Sequence, residues 1–291
     1  MAEKIVAEEV ANDAYLNLSN GAAVITDPKN GDILAMVGSK NYNDPTGGAV
    51  NVTTASRQPG STVKVITYSA ALMHGFTAAS ILKDTPISFP NPWGAPYTPV
   101  NYDGAFHGRV PLRFALANSL NIPAVKTLNK IGIPTMVNLA NRMGLSSWDK
   151  PDQYGLSITL GGAEANMLDL ATVFGTLSNN GNRVTLNPIL SITDAKGSVL
   201  SKKTTDETRA LPEGIAFIIS NILSDNQARS MEFGPNSPLN IPGHTVSVKT
   251  GTSDNKVDNW TVGYTKNYLV AAWVGNNDST PMSQTLASGI S

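Results

Sequence analysis

A serine that precedes a lysine by three residues could act as a nucleophile beside its own base, because positions i and i+3 of a helix share one face. This S-x-x-K pattern occurs four times in the sequence, beginning at Ser61, Ser80, Ser147 and Ser253. Only the first copy is followed by apolar residues at helical spacing, and it comes directly after a Pro-Gly pair. The sequence therefore favours Ser61, with Lys64 on the same face, as the pair that could carry nucleophilic catalysis.

A K-T-G tripeptide occurs once, as Lys249-Thr250-Gly251, within an apolar run typical of a strand. By contrast, S-x-N tripeptides occur five times, so their position in the chain has to distinguish among them. Ser119-Leu120-Asn121 comes at the end of a predicted helix that begins near Leu112, between the S-x-x-K helix and the K-T-G strand. Ser224-Asp225-Asn226 follows another apolar helix and is typical of a C-cap and turn. We therefore expect Ser119 and Asn121, and not Ser224, to reach the site.

In this order, the three motifs resemble the active-site motifs of class A penicillin-binding proteins; S-x-x-K, a serine-asparagine motif and K-T-G are a known signature of penicillin-binding proteins and some β-lactamases. The likeness extends beyond the motifs and covers nearly the whole chain. The segments that carry it are residues 57–64, 119–125 and 249–252, together with 26–37, 160–164 and 260–265. It implies a D,D-transpeptidase that cross-links peptidoglycan stem peptides through a serine acyl-enzyme and that β-lactams acylate and inhibit.

The resemblance also implies a role for each catalytic side chain. Ser61 would be the nucleophile and Lys64 its proton acceptor, while Ser119 would relay protons between the two lysines and the leaving nitrogen. A lysine is a base at neutral pH only where its ammonium form is destabilised, and burial beside a second cation, here Lys249, lowers its pKa in this way.

Four further residues would bind the substrate. Asn121 would hold the substrate's amide, and Thr250 and Thr252 would bind its terminal carboxylate. The backbone N–H groups of Ser61 and Thr252 would form the oxyanion hole. Gly251 lacks a side chain, and we expect this to let the substrate backbone approach the strand closely.

The composition excludes several other classes of function. Basic residues nearly balance acidic ones, giving a net charge of -1, so neither nucleic acid nor an anionic membrane surface is an expected partner. The sequence has no cysteine, and His74, His107 and His244 are dispersed, so we expect no metal site and no cofactor. A Ser-His-Asp hydrolase is not expected either, because the sequence lacks a G-x-S-x-G segment.

The motifs need a sheet and helices to bring them together. Apolar runs typical of strands occur near both ends of the chain, at residues 22–26, 32–37, 246–252, 260–265 and 268–275. Helical patterns lie mostly between them, at residues 112–120, 124–130, 135–143, 167–177 and 214–223. We predict an α+β fold of the penicillin-binding and serine β-lactamase kind: an antiparallel sheet built from both chain ends, flanked by helices, with an all-helical lobe inserted.

We expect a single transpeptidase domain over residues 1–291, with a sheet lobe at about 20–75 and 185–291 and a helical lobe at about 76–184. Residues 86–103 are rich in proline, which indicates an ordered loop. In this loop, Trp93 and Tyr97 are candidates to line the cleft. The resemblance implies a parent protein anchored at the extracytoplasmic face of the bacterial cytoplasmic membrane and carrying a glycosyltransferase domain. We expect no membrane anchor within these residues, because the longest apolar stretches are far shorter than the roughly 20 residues of a membrane helix. The glycosyltransferase domain is also expected to lie outside them.

Three other functions stay open on the sequence alone. A D,D-carboxypeptidase differs only in using water in place of an amine to release the acyl group. A β-lactamase needs an efficient deacylation base, and the E-x-x-L-N segment of class A β-lactamases does not occur between Asn121 and Lys249. A non-catalytic β-lactam sensor would stay acylated, but the contexts at 57–60 and 260–265 resemble those of synthases. We therefore favour the transpeptidase.

Overall fold

Strands from both ends of the chain pair into one antiparallel sheet, as the sequence predicts. The structure is a computed structural model that describes residues 1–90 and 94–283. In chain order, strands β1 to β11 are Asn20–Asp27, Asp32–Val37, Ile81–Asp84, Gly108–Pro111, Asn182–Val184, Ser191–Thr193, Val199–Lys202, Glu207–Arg209, Ser247–Thr252, Asp258–Tyr264 and Leu269–Gly275. The main sheet has the order β2-β1-β11-β10-β9, with antiparallel neighbours throughout. The α+β fold class is confirmed.

Helices cover the sheet and form most of the middle of the chain. The lobe predicted to be all-helical at about 76–184 also contains the two-stranded sheet of β3 and β4. Helices α1 to α8 are Ala2–Asn12, Lys64–Met73, Leu112–Ala117, Asn121–Ile131, Ile133–Met143, Met167–Ser178, Glu213–Ser224 and Ser230–Phe233. Short 3-10 turns occur at Ala14–Leu16, Gly60–Val63, Pro151–Gln153, Leu156–Leu160 and Asp254–Lys256. Within residues 1–90 and 94–283, no helix combines the length and apolarity that crossing a membrane requires.

One face of the main sheet packs on the core. Partners in an antiparallel pair point to the same side, so the register places Ala22, Trp273, Trp260 and Gly251 in one row across this face. Both tryptophans are wholly buried. Lys249, two residues before Gly251 on the edge strand β9, shares the face because side chains alternate along a strand. The K-T-G lysine therefore points from the sheet toward the helices.

Helix α2 is enclosed on all sides. Every residue from Lys64 to Leu72 is buried, and the helix packs against α4, α5 and α7. Such burial is expected of a helix whose side chains are largely apolar or small around its whole circumference. Its one charged residue, Lys64, stands at the first position. The core of the molecule thus fixes the lysine that the sequence pairs with Ser61.

The helix predicted at 112–120 ends earlier, at Ala117, because Ser119 adopts a left-handed backbone with φ 56. The next helix begins at Asn121, before its predicted start at residue 124. Its first N–H groups would be unpaired in an isolated helix, but Asn101 Oδ1 accepts hydrogen bonds from the N–H groups of Asn121 and Ile122, at 2.9 and 3.2 Å. The S-x-N tripeptide therefore forms the tight connection between α3 and α4.

Candidate active site

The segment that carries Ser61 begins as the 3-10 turn Gly60–Val63 and continues as α2 from Lys64. A helix start at this serine was predicted, and the tighter first turn is the only difference. Ser61 is half-buried and lines a cleft, whereas Lys64 lies one turn deeper with no exposed surface. Among the described residues, Ser61 Oγ has no hydrogen-bonding partner, so the hydroxyl is available to a ligand.

The hydroxyl of Ser119 lies between two lysines. Lys249 Nζ donates to Ser119 Oγ at 2.8 Å, and Lys64 Nζ lies 3.4 Å from the same oxygen. Lys64 Nζ also donates to the backbone carbonyl of Ser119 and to Asn121 Oδ1, the latter at 2.6 Å. The left-handed backbone of Ser119 makes this arrangement possible, because it turns both the hydroxyl and the carbonyl of one residue toward the lysines. The structure thus joins the three predicted motifs at one point.

Burial lowers the pKa of both lysines. The pKa of Lys64 falls well below its ordinary value, first because the side chain is desolvated and then because Lys249 carries a like charge nearby. Burial lowers the pKa of Lys249 to about 7; Glu232 opposes that shift, and Arg229 adds to it. The lowered pKa favours the neutral amine of Lys64, which is the form that can accept a proton.

The cleft contains about 460 Å³ of space, its open mouth included. Residues from all three motifs line it, together with the segments next to them: Ser61, Tyr102, Asp103, Asn118, Ser119, Leu120, Asn121, Glu232, Thr250, Gly251 and Thr252. The cleft therefore brings together the predicted nucleophile, the predicted relay serine and the predicted substrate-binding residues. Lys64 and Lys249 lie beneath its surface, where both are buried.

The position of Asn121 is fixed by a buried carboxylate that no motif identifies. Asn121 Nδ2 donates to the carbonyl of Val100 at 2.8 Å, and the neighbouring Asn101 caps the helix on which Asn121 lies. Asn101 in turn donates to both oxygens of Asp84, at 2.9 and 2.8 Å, and Asp84 has no exposed surface. His107 completes this network by donating its backbone N–H to Asp84 at 2.9 Å.

Gly251 has a packing reason in addition to the predicted one. We expect the missing side chain to admit the substrate, and Gly251 lines the cleft. A Cβ on Gly251 would also lie 2.4 Å from the carbonyl oxygen of Pro59 and 2.7 Å from Thr62 Cγ2. The glycine is needed because strand β9 packs directly on the turn that holds Ser61. Its place on the core face of the sheet explains this contact, since that face packs on the segment that precedes α2.

Gly60 allows the same close approach from the other side. A Cβ on Gly60 would lie 2.5 Å from the carbonyl oxygen of Thr252 and 2.7 Å from its nitrogen, and Gly60 has a left-handed φ of 55. Glycine adopts this conformation without steric cost, and only a residue without a Cβ permits this contact. The backbones of the Ser61 turn and Thr252 are therefore adjacent, as the predicted oxyanion hole requires.

We expect Gly60→Ala to destabilise the fold more than Gly75→Ala. Both glycines have positive φ, so each alanine costs about 1–2 kcal/mol of backbone strain. Only Gly60 has backbone atoms in the way, whereas a Cβ on Gly75 meets nothing within 4 Å. Overpacking should add about 1–3 kcal/mol to the loss at Gly60. Urea unfolding of the two variants measures the difference, and equal losses would contradict this account of the contact.

The remaining serine motifs do not reach the cleft. Ser224 Oγ donates to the carbonyl of Asn221 at 3.2 Å, and the next residue, Asp225, pairs with Arg113 at 3.0 Å. Ser80 Oγ accepts from the N–H of Thr77, Ser147 is exposed, and Ser253 Oγ accepts from the N–H of Asp258. These serines are turn and surface residues, which agrees with the choice of Ser61 and Ser119.

The proline-rich loop contributes different residues from those predicted. Trp93 lies outside the described residues, and Tyr97 stacks on Phe89 with ring centroids 6.5 Å apart rather than facing the cleft. Tyr102 and Asp103, near the end of the loop, line the cleft instead. They and Glu232 were missed because no spacing rule connects them to the motifs.

The sequence matches one family, described as penicillin binding protein transpeptidase domain, over residues 21–288. Curated relatives include penicillin-binding protein 1B of Vibrio cholerae, 32% identical over 273 residues that make up 92% of this chain and 34% of the relative. Penicillin-binding protein 1A of Neisseria lactamica is 32% identical, over 89% of this chain and 32% of its own length. The chain therefore spans about a third of the length of these relatives.

Solved structures with the same fold include penicillin-binding protein 1A from Haemophilus influenzae, with a TM-score of 0.79 and 25% identity, over 93% of this chain and 45% of that one. The PonA1 protein from Mycobacterium tuberculosis, in complex with penicillin V, has a TM-score of 0.78 and 25% identity. That match covers 98% of this chain and 79% of that one.

Proposed function

Since the chain belongs to the transpeptidase family of penicillin-binding proteins, we propose that it is a D,D-transpeptidase acting through an acyl-enzyme on Ser61. One observation carries the proposal: Ser119 Oγ contacts the amines of both Lys249 and Lys64 in the cleft that Ser61 lines. A serine protease mechanism with histidine has no such arrangement. A hydroxyl between two buried lysines is suited to moving protons without a histidine.

In the acylation step, Ser61 Oγ attacks the carbonyl carbon of the penultimate D-Ala of a stem peptide, and Lys64 Nζ takes the serine proton. The N–H groups of Ser61 and Thr252 would hold the oxyanion that forms. The carbon–nitrogen bond then breaks, and the leaving nitrogen receives a proton through Ser119. D-Ala departs, and the acyl group stays on Ser61 until the amine of a neighbouring stem peptide attacks it.

Lys249 would have a second task in this scheme. Its ammonium group lies beneath the cleft surface on strand β9, next to Thr250 and Thr252, which line the cleft. The three residues together could bind the terminal carboxylate of the donor peptide. Asn121 would hold the peptide's amide. In this structure its side chain is already engaged by Lys64 and Val100, so substrate binding would exchange one of those contacts.

Hydrolysis is the second candidate activity, because the structure places Glu232 in the cleft. A carboxylate beside the acyl carbon could activate water, as a carboxypeptidase or β-lactamase requires. The backbone attachment of Glu232, whose N–H donates to Asn118 Oδ1 at 3.1 Å, puts it on the side of Ser119 and the lysines. Glu232 is therefore better placed to act on the charges of those lysines than to activate a water molecule.

We expect the penicilloyl-enzyme to be long-lived, and a donor peptide's acyl group to be passed to an amine. A β-lactam's leaving nitrogen stays tethered and obstructs the nucleophile, whereas D-Ala leaves and makes room for it. Mass spectrometry can follow both processes: decay of the benzylpenicillin adduct, and formation of a new amide from a D-Ala-D-Ala donor plus an amine acceptor.

A chromogenic cephalosporin provides the contrasting outcome for this experiment. Many turnovers with adduct lifetimes of seconds or less would identify a β-lactamase. Release of D-Ala with no amide product would identify a carboxypeptidase. An adduct that persists while donor peptides give no product of either kind would identify a sensor.

The proposal extends to the protein's setting. Curated relatives of this chain are about three times as long, and we infer that the parent protein is membrane-anchored, carries a glycosyltransferase domain and acts on the extracytoplasmic face. Within it, residues 1–291 would form a single transpeptidase domain with a sheet lobe and a helical lobe. Its partners would be peptidoglycan stem peptides and, as inhibitors, β-lactams.

A further inference from the structure

Glu232 is attached to the same turn as Ser119. Its backbone N–H donates to Asn118 Oδ1 at 3.1 Å, and Asn118 directly precedes Ser119. The amide of Asn118 also donates to the carbonyls of Phe114 and Ala228, at 3.0 and 2.7 Å. One side chain therefore joins helix α3, the relay serine and helix α8. This attachment keeps Glu232 in a fixed position relative to the hydroxyl that both lysines contact.

In the described part of the chain, no carboxylate lies within ion-pair distance of the amine of Lys64 or Lys249. Glu232 is the carboxylate whose charge acts on both of them. Its own side chain lines the cleft and makes no hydrogen bond or ion pair within residues 1–90 and 94–283. Its charge is therefore not committed to any other cation at close range.

We propose that Glu232 is a positioning residue for the reaction proposed above: its carboxylate keeps the proton on Lys249, so that Lys64 is the lysine that loses its proton and acts as the base. This inference rests on the proposed function. It assigns different roles to two lysines that contact the same hydroxyl, and it explains why an acidic residue lines a cleft that binds a carboxylate-bearing substrate.

The surrounding charges support this division. After burial, Glu232 has the largest effect on the pKa of Lys249, and it raises that pKa; Arg229 lowers it. For Lys64 the order is reversed, because the like charge of Lys249 outweighs Glu232. The pKa of Glu232 itself is raised by burial and by Asp103, against the opposing effects of both lysines and His107. The carboxylate thus favours the proton on Lys249 more than on Lys64.

The test is the pH dependence of the second-order rate of acylation by benzylpenicillin, measured for wild type, Glu232→Gln and Glu232→Asp. Removing a negative charge lowers the pKa of both lysines, and that of Lys249 more. The alkaline limb of the Glu232→Gln profile, which the loss of the Lys249 proton sets, should therefore move to lower pH by about one unit, an estimate for charges several ångströms apart at a protein surface. On the alkaline limb this is about a tenfold loss. The acid limb, which Lys64 sets, should move less. Glu232→Asp should restore most of the wild-type profile. Glu213→Gln, which removes an exposed carboxylate at the start of α7, is the matched control and should leave it unchanged.

Each other outcome overturns something definite. A Glu232→Gln profile that overlays that of wild type, or a uniform loss at every pH, overturns the inference and leaves the proposed function intact. A longer adduct lifetime in Glu232→Gln, with rapid turnover in wild type, makes Glu232 the base for hydrolysis instead. If wild type itself is not acylated at any pH, the proposed function fails and the inference fails with it.

Discussion

The Ser61→Ala variant is expected to form no covalent adduct with benzylpenicillin, whereas the wild-type chain gains the mass of one penicilloyl group. Opening the lactam needs a nucleophile in the cleft, and Ser61 is the S-x-x-K serine that lines it. It stands one turn before a lysine whose pKa is lowered by burial. Intact-mass spectra after incubation give the result, and peptide mapping of the wild-type adduct locates the modified residue.

Ser147→Ala is the matched control for this experiment. Ser147 also begins an S-x-x-K sequence, but it is exposed and lies outside the cleft. This variant should be labelled at the wild-type rate. An adduct that maps to Ser80, Ser147 or Ser253, or one that survives in Ser61→Ala, contradicts the assignment of the nucleophile.

Ser119→Ala and Lys249→Ala are each expected to slow acylation by roughly 10²- to 10⁴-fold, the usual cost of removing one proton-transfer group. Ser119 Oγ is the atom that both lysines contact, so alanine at this position breaks the connection between them. Loss of the Lys249 ammonium removes the closer of the two hydrogen-bond donors to Ser119 Oγ. Rapid-quench mass spectrometry at several benzylpenicillin concentrations gives the acylation rate constants.

Ser224→Ala tests whether the right S-x-N copy was chosen. Ser224 starts a literal S-D-N sequence, yet its hydroxyl caps the end of α7 and lines a separate groove. Acylation of this variant should be nearly as fast as that of wild type. If Ser224→Ala loses more activity than Ser119→Ala, then the second motif belongs to the later serine and the geometry described above is not that of catalysis.

The main features of the fold could be predicted because they depend on local patterns. Strands at 22–26 and 260–265 and helices at 167–177 and 214–223 alternate or repeat at the expected period, and each is present within a few residues. Ser61 was identified because only its S-x-x-K copy begins a regular helical pattern, and Lys249 because its K-T-G tripeptide occurs once. The order of the motifs then selected Ser119, which lines the same cleft as Ser61.

The remaining features depend on contacts between distant segments, which no local pattern encodes. The left-handed backbone conformation of Ser119 could not be predicted, because the helical pattern of the sequence continues through this residue. The packing reason for Gly251 lies in the turn at Pro59, far away in sequence. Asp84 and Glu232 lie in segments with no motif, and their importance follows only from the neighbours that folding gives them.

The pairing of β1 with β11 has a consequence for how the chain is made. Asn20 pairs with Gly275, so strand β1 lacks its partner β11 until the ribosome has reached residue 275. At 5–20 residues per second that interval lasts on the order of tens of seconds. During it the hairpin of β1 and β2 exposes an unpaired edge, which is a template for association with other chains. Nascent chains of this protein should therefore depend on chaperones until strands β9 to β11 have been made, and the cleft that Ser61 lines forms only after that point.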